Sequence, residues 1–277
     1  MDTLIDFADH FNHRAVVLGA GTMGAGIAET FVAAGWHVDL VDPSDEQRAA
    51  AAGRVAEAGG SGTLNPVVSV EALEPAGFVV ESVPENPTLK ASVLAQAERV
   101  LQPELLCSNT SSLSIGELQL ALERPEHFLG MHFFQPVPKT RLIELITTAA
   151  TSEHSLELAR ACTIGLGRKP VVVKDSPGFA TSRLGVAIGL EAMRMVEEGI
   201  ATAEDIDDGM ILGYQHGVGP LRMTDMVGLD VRLAISEHLA ATLGPRFEPP
   251  ALLRQMVARG ELGRKTGRGF FHWPETV

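Results

Sequence analysis

The segment Gly19-Ala20-Gly21-Thr22-Met23-Gly24 stands between a short apolar run, Ala15–Leu18, and a helical pattern over Thr22–Ala34. This placement constrains the fold more than any other feature of the chain. The first glycine permits a tight turn, the second lets backbone approach a pyrophosphate, and the third lets helix and strand pack closely. The free N–H groups of the helix start then meet the phosphates, so Thr22 and Met23, in the same turn, join the glycines as candidate cofactor contacts. A second apolar run, His37–Val41, ends on Asp42. At that place an acidic side chain grips a ribose 2′-hydroxyl and repels a 2′-phosphate. The combination implies NAD rather than NADP, with FAD a competitor on the fingerprint alone.

The pattern along the chain agrees. Ser44–Ala58 reads as a helix with a Ser-Asp-Glu start, and Gly59–Gly62 breaks it. Val67–Val70 and Phe78–Val83 read as strands, Thr88–Leu101 as a helix and Leu105–Ser108 as a strand. Such alternation predicts a parallel sheet with helices on both faces. Two further strands, Phe128–Phe134 and Leu142–Thr147, flank a Pro-rich loop; a helix, Glu153–Leu166, and a strand, Val171–Val173, follow. Beyond Asp175-Ser176-Pro177-Gly178 the periodicity is helical: Arg183–Glu198, Ala203–Leu212, Val231–Leu243 and Ala251–Arg259. The expected architecture is an α/β Rossmann-type dinucleotide-binding domain, residues 1–174, followed by an all-α C-terminal domain, residues 175–277.

Composition narrows the partners. The 277 residues carry 22 basic and 35 acidic side chains, a formal net charge of −13, which argues against nucleic acid as a partner. Two cysteines, Cys107 and Cys162, make neither a disulfide framework nor a four-ligand zinc site. No metal site is expected, and reduced thiols suit the cytoplasm. No apolar stretch reaches the ~18 residues of a membrane span. The start, Met1–His13, lacks the positive charge and apolar run of a signal peptide and reads as a short, partly ordered leader.

Several separated motifs resemble one family. Gly19–Ala28, Val80-Glu-Ser-Val-Pro-Glu-Asn86, Ser108-Asn-Thr-Ser-Ser-Leu113 and Met131-His-Phe-Phe-Gln-Pro-Val-Pro138 are similar, in this order, to 3-hydroxyacyl-CoA dehydrogenases, including the 3-hydroxybutyryl-CoA enzymes. Lys174-Asp-Ser-Pro-Gly-Phe179 and Gly263-Arg-Lys-Thr-Gly-Arg-Gly-Phe-Phe271 complete the resemblance. It implies reversible NAD-dependent oxidation of an (S)-3-hydroxyacyl thioester, a place in fatty acid metabolism, and a homodimer built through the helical domain.

Hydride removal from a secondary alcohol also requires a base for the hydroxyl proton, and histidine is the usual one. His132 lies in an apolar strand, where a lone histidine is more often a core residue. Glu144 lies on the following strand, and Pro138, in the intervening loop, is midway between them. If the strands are antiparallel, the two side chains face each other, as in the family's His–Glu pair. Ser111, just past a strand end where open α/β sheets place ligands, matches the family's substrate-side hydroxyl. Asn109 is expected near the nicotinamide ribose, and Glu85 and Lys90 match positions beside cofactor and substrate. Their competing readings are a helix-start acid and a solvated lysine. For Ser112 and Ser114, capping is the better reading.

The chain departs from the family pattern in three places. Gln135 and Ser182 each replace the usual asparagine, and Ser182 completes the expected catalytic set with a shorter side chain. The Asp42–Glu85 segment is shorter than the helical hairpin that reaches over CoA in the family, and Arg48 and Arg54 are its basic residues. A CoA thioester is favoured over a carrier-protein-bound or non-thioester hydroxy acid. A non-catalytic, crystallin-like dinucleotide binder is the alternative from another class.

Overall fold

The computed structural model describes residues 7–274. The chain forms two compact units, Met1–Ser176 and Pro177–Val277. The first contains α1 (Phe7–His10), β1 (Arg14–Leu18), α2 (Thr22–Ala33), β2 (His37–Val41), α3 (Asp45–Ala58), β3 (Thr63–Val67) and β4 (Phe78–Glu81). It continues through α4 (Pro87–Leu101), β5 (Leu105–Ser108), α5 (Ile115–Leu118), β6 (Phe128–Phe133), β7 (Leu142–Thr147), α6 (Glu153–Gly165) and β8 (Lys169–Lys174).

The strands form one sheet in the order β3-β2-β1-β4-β5-β6-β7-β8. Pairing is parallel from β3 to β6, antiparallel between β6 and β7, and parallel again between β7 and β8. The central strands β4, β5 and β6 are buried along their whole length, as expected where helices cover both faces of a sheet. Phe7 and Phe11, in the described part of the expected leader, belong to this core. Phe7 is buried, and its ring centroid lies 5.3 Å from that of Trp36 and 5.0 Å from that of Phe78. Residues 1–6 of the expected leader lie outside the described residues.

The expected strand over Val67–Val70 is displaced. The strand is Thr63–Val67, and Val70–Ala72 forms a 3₁₀ turn. This edge strand is mostly exposed and contains Pro66, a residue tolerated at sheet edges. Its place comes from backbone pairing with β2, which hydropathy does not reveal. Between β2 and β3 there is one helix, α3, and then the glycine turn.

The second unit contains α7 (Thr181–Glu197), α8 (Ala203–Asp208), α9 (Pro220–Val227), α10 (Leu229–Leu243) and α11 (Ala251–Ala258). The helix expected to reach Leu212 stops at Asp208 and widens into a π-turn over Gly209–Gly213. The unforeseen α9 opens with Pro220 in its first turn, where proline's missing N–H costs nothing. Asp207 accepts the next two amides, Leu221 N and Arg222 N, each at 2.8 Å. Leu190, Met193, Leu221, Leu239 and Leu253 form the core of this unit. The C-terminal segment is fastened by buried Asp225, which accepts from Phe270 N and Phe271 N, each at 2.9 Å, and from Trp273 Nε1 at 2.8 Å.

Candidate active site

The turn after β1 shows why its glycines are needed. Gly19 has φ +98, and a Cβ there would stand 2.7 Å from the Ser82 carbonyl oxygen. A Cβ on Gly24 would stand 1.8 Å from the Gly19 carbonyl oxygen. At Gly21 a Cβ would meet nothing within 4 Å, so the backbone there is open to a ligand. Gly21 is also the N-cap of α2 and provides no side-chain cap. The helix start therefore presents uncapped donors with the positive end of its dipole, a fit for pyrophosphate.

A cavity of about 1080 Å³ opens over this turn. Gly19, Gly21, Thr22 and Met23 line it, with Asp42 at the end of β2 and Glu85, Asn109 and Ser111 on the opposite wall. Gly24 lies beneath it as a packing residue. Asp42 Oδ2 accepts from Ala20 N and Oδ1 from Ser44 N, each at 2.8 Å. Each oxygen keeps a lone pair for a ligand hydroxyl.

Glu85 organises the loop after β5. Its Oε1 accepts from Thr110 Oγ1 at 2.6 Å, Ser112 Oγ at 2.9 Å, and the amides of Ser111 and Ser112 at 3.0 Å. Burial pushes its carboxyl upward. The Thr110 hydroxyl, the Lys90 charge, the Ser112 hydroxyl and the Ser111 amide outweigh this and hold it below its ordinary value. Ser111 lies exposed at the rim, and no described group bonds its hydroxyl. Ser114 caps α5 through Glu117 N and donates to Asp175 Oδ2 at 2.7 Å, in keeping with the capping expectation.

Lys90 is neither a solvated lysine nor a wall of the cavity. It is 1 % exposed, donates to Glu81 Oε1 at 2.7 Å and to the Val83 carbonyl at 3.0 Å, and lies 3.4 Å from Glu85 Oε2. Glu81 is fully buried and also accepts from Ser108 Oγ at 2.6 Å. The solvated-lysine reading is therefore corrected: Lys90 ties α4 to the ends of β4 and β5 and stands behind Val83 and Glu85, which line the cavity. Glu81 went unforeseen, although an acid ending an apolar strand nine residues before a helical lysine is the sequence trace of this pair.

His132 and Glu144 are cross-strand partners on β6 and β7. His132 Nδ1 lies 2.9 Å from Glu144 Oε2, with the two residues 5 % and 0 % exposed. Asn109 links this pair to the cavity. Its Oδ1 accepts from Phe133 N at 2.8 Å, and its Nδ2 donates to Ser82 Oγ at 3.1 Å. Ser182 belongs to the second unit, in the first turn of α7, half-buried. Among the described residues no cluster of three or more His, Cys, Asp or Glu side chains is arranged to hold a metal. Cys107 and Cys162 are free and buried, and burial pushes both thiols up.

Residues 14–176 match the model of the 3-hydroxyacyl-CoA dehydrogenase NAD binding domain, and residues 178–273 match that of the family's C-terminal domain. A 3-hydroxybutyryl-CoA dehydrogenase of Mycobacterium tuberculosis is 38% identical over 279 residues, covering 93% of this chain and 97% of that one. The mitochondrial hydroxyacyl-coenzyme A dehydrogenase of Sus scrofa is 36% identical over 285 residues, covering 94% and 91%. The crystal structure of the (S)-3-hydroxybutyryl-CoA dehydrogenase PaaH1 from Ralstonia eutropha superposes with a TM-score of 0.88 at 37% identity, covering 95% and 99%. With both domain models matched in order and a dinucleotide cradle at the expected turn, the chain belongs to the 3-hydroxyacyl-CoA dehydrogenase family and is an NAD-dependent dehydrogenase.

Proposed function

We propose that the protein reversibly oxidises an (S)-3-hydroxyacyl thioester, foremost a CoA thioester, to the 3-oxoacyl thioester. The observation that carries this reading is the buried pair His132–Glu144, 2.9 Å apart, in the same unit as a cradle suited to NAD. The cofactor supplies the hydride acceptor. Gly19, Gly21, Thr22 and Met23 hold its pyrophosphate, Asp42 its adenosine ribose, and Asn109 and Glu85 border the nicotinamide end.

Nδ1–H is directed to Glu144, so Nε2 is the basic ring nitrogen and takes the hydroxyl proton. The carboxylate fixes the ring and balances the imidazolium that forms. Ser111 donates to the same substrate oxygen, and for Ser182 the family resemblance implies a further substrate-side hydroxyl. The low exposure of the pair keeps water from replacing these contacts. A homodimer formed through the helical unit is supported by Leu184, Ile188, Met226 and Val231, which are exposed apolar side chains of α7, α9 and α10. Two buried free thiols suit the cytoplasm.

One observation favours a second reading, a carrier-protein-bound or smaller thioester. The segment between β2 and β3 has a single helix, and its two arginines are engaged. Arg48 binds Asp45 and the Asp42 carbonyl, and Arg54 binds Glu29 at 2.7 Å. Neither is free for a CoA phosphate.

The test is to mix the protein with NAD and (S)-3-hydroxybutyryl-CoA and follow the absorbance of reduced nicotinamide. Steady reduction upholds the reading. Tight NAD binding with no reduction of any 3-hydroxy thioester would instead mark a non-catalytic dinucleotide binder.

A further inference from the structure

The β6–β7 ladder fixes His132 against Glu144, but a ladder does not set where the pair stands relative to α2, the helix that opens at the cofactor cradle. The loop joining the two strands does. Its 3₁₀ turn, Val137–Lys139, is seated on α2. Val137 is buried, and a Cβ added at Gly26 would stand 3.0 Å from both its Cβ and its Cγ2. Bare backbone at Gly26 is what lets the loop come this close. Thr140 Oγ1 closes the loop on itself, lying 2.8 Å from the Phe134 carbonyl oxygen and 2.9 Å from that of Pro136.

A buried cation holds the same loop from outside. Arg168, between α6 and β8, is 8% exposed. Its Nη1 donates to the Val137 and Thr140 carbonyls, each at 2.7 Å, and its Nη2 donates to the Thr30 hydroxyl of α2 at 3.2 Å. That hydroxyl in turn donates to the Gly26 carbonyl at 2.9 Å. All three acceptors are neutral. Burial draws the guanidinium below its ordinary value, with the Cys162 thiol acting the other way. The fold thus bears the cost of enclosing a charge at the place where the hairpin loop meets the cofactor helix. A planar fork suits the task, since its rigid donors reach acceptors on two elements at a fixed spacing.

We infer that Arg168 is a positioning residue for the dehydrogenation: it sets the place of the His132–Glu144 hairpin on the helix that carries the cofactor. Arg168 acts from behind, through the loop, and is not among the residues that line the cofactor cavity. A hairpin displaced as a unit would keep the His132–Glu144 bond and lose the distance from Nε2 to the substrate hydroxyl. A shift of about 1 Å at such a distance can cost on the order of a hundredfold in rate. For its effect on turnover the inference rests on the dehydrogenase reading above; for its effect on the loop it does not.

The experiment compares the wild type with Arg168→Gln, Arg168→Lys and Thr30→Val, using NAD and (S)-3-hydroxybutyryl-CoA, together with amide hydrogen exchange. Arg168→Gln should lower kcat by roughly 10- to 100-fold and leave KM and NAD affinity nearly unchanged. Arg168→Lys should recover part of the loss, because an ammonium still reaches a carbonyl. Thr30→Val keeps the side-chain shape, breaks the link to α2 alone, and should lower kcat by a smaller factor. In Arg168→Gln exchange should quicken at Lys139 and Thr140, whose amides bond the Pro136 carbonyl, and at Phe133, whose amide bonds Asn109. The β1–β2 ladder should stay protected. An unchanged kcat in Arg168→Gln overturns the inference. So does a loss that Arg168→Lys does not recover and that comes with faster exchange across the whole sheet, the mark of an arginine needed only for folding. If Arg168→Gln does not fold, Thr30→Val carries the test, and an unchanged kcat there overturns the inference. A wild type that reduces no NAD with any 3-hydroxy thioester fails the dehydrogenase reading instead. Exchange then decides alone: quickening confined to Phe133, Lys139 and Thr140 upholds Arg168 as the holder of the hairpin, and any other pattern sinks it.

Discussion

Glu144 stands directly across the antiparallel β6–β7 ladder from His132, and its Oε2 meets the ring at Nδ1 rather than Nε2. The carboxylate thus acts on the imidazole from behind. His132→Gln should keep NAD affinity and lower turnover by ~10²–10⁴, the usual worth of a general base. Glu144→Gln should act in the same direction, and the double variant should be little worse than the poorer single one, since the two groups work as a unit. Stopped assays with NAD binding followed by fluorescence would check this. Normal turnover in His132→Gln removes the mechanism.

The position of Asp42 predicts cofactor choice. Its carboxylate borders the cavity between two backbone amides, and a 2′-phosphate placed there meets like charge. NAD should therefore be strongly preferred over NADP, and Asp42→Ala should narrow the ratio of their kcat/KM values. Equal use of both cofactors by the unaltered protein would count against this placement.

The single helix between β2 and β3 predicts weak recognition of the nucleotide part of CoA. Binding energy from remote parts of a substrate helps position the reacting centre. With Arg48 and Arg54 engaged elsewhere, kcat/KM for 3-hydroxybutyryl-CoA and for the matching pantetheine thioester should agree within about tenfold, roughly 1.4 kcal/mol. A CoA advantage of several hundredfold would show that other cations hold the nucleotide.

Glu85 predicts a pH effect on the loop at Thr110–Ser112. Its carboxyl titrates below the ordinary 4.5 in the folded protein, so the clamp is complete above that value. It is lost as the pH falls through the lower folded value. In Glu85→Gln the anionic acceptor is gone at every pH. Amide hydrogen exchange at Ser111 and Ser112 should then accelerate by roughly 10- to 100-fold, about 1.5–3 kcal/mol of local stability. Unchanged exchange there would show that the loop is held by other contacts.

Arg232 also makes a prediction about stability that is independent of turnover. Arg232 is 8% exposed and its Nε lacks a hydrogen-bond partner, and burying part of a charged group without a partner is costly. Arg232→Met should therefore raise the Tm, read by thermal melting. A lowered Tm would mean that the guanidinium is satisfied in the free protein.

The site was legible where a residue type and its strand position coincide. Gly19, Asp42 and His132 each fall at a strand end or within an apolar strand, and the loop midpoint at Pro138 gave the His132–Glu144 register directly. The burial of Lys90 is not legible because sequence does not show which way a helical lysine points; its partner, Glu81, comes from a different strand end. Strand β3 was misplaced because an exposed edge carries no apolar period. Arg232 left no trace in sequence, since an arginine on an amphipathic helix normally faces water. Only the fold shows that this one does not.

The chain has two tryptophans, and the fold assigns one to each unit. Trp36 is 3% exposed among the phenylalanine rings around β4, whereas Trp273 is half-buried with its indole N–H on Asp225 and Arg222 5.5 Å away. Their emission colours should differ, the first bluer than the second. Trp36→Phe and Trp273→Phe would each leave a single optical reporter for one unit, so that melting of the nucleotide cradle and melting of the helical unit can be timed separately in the same molecule.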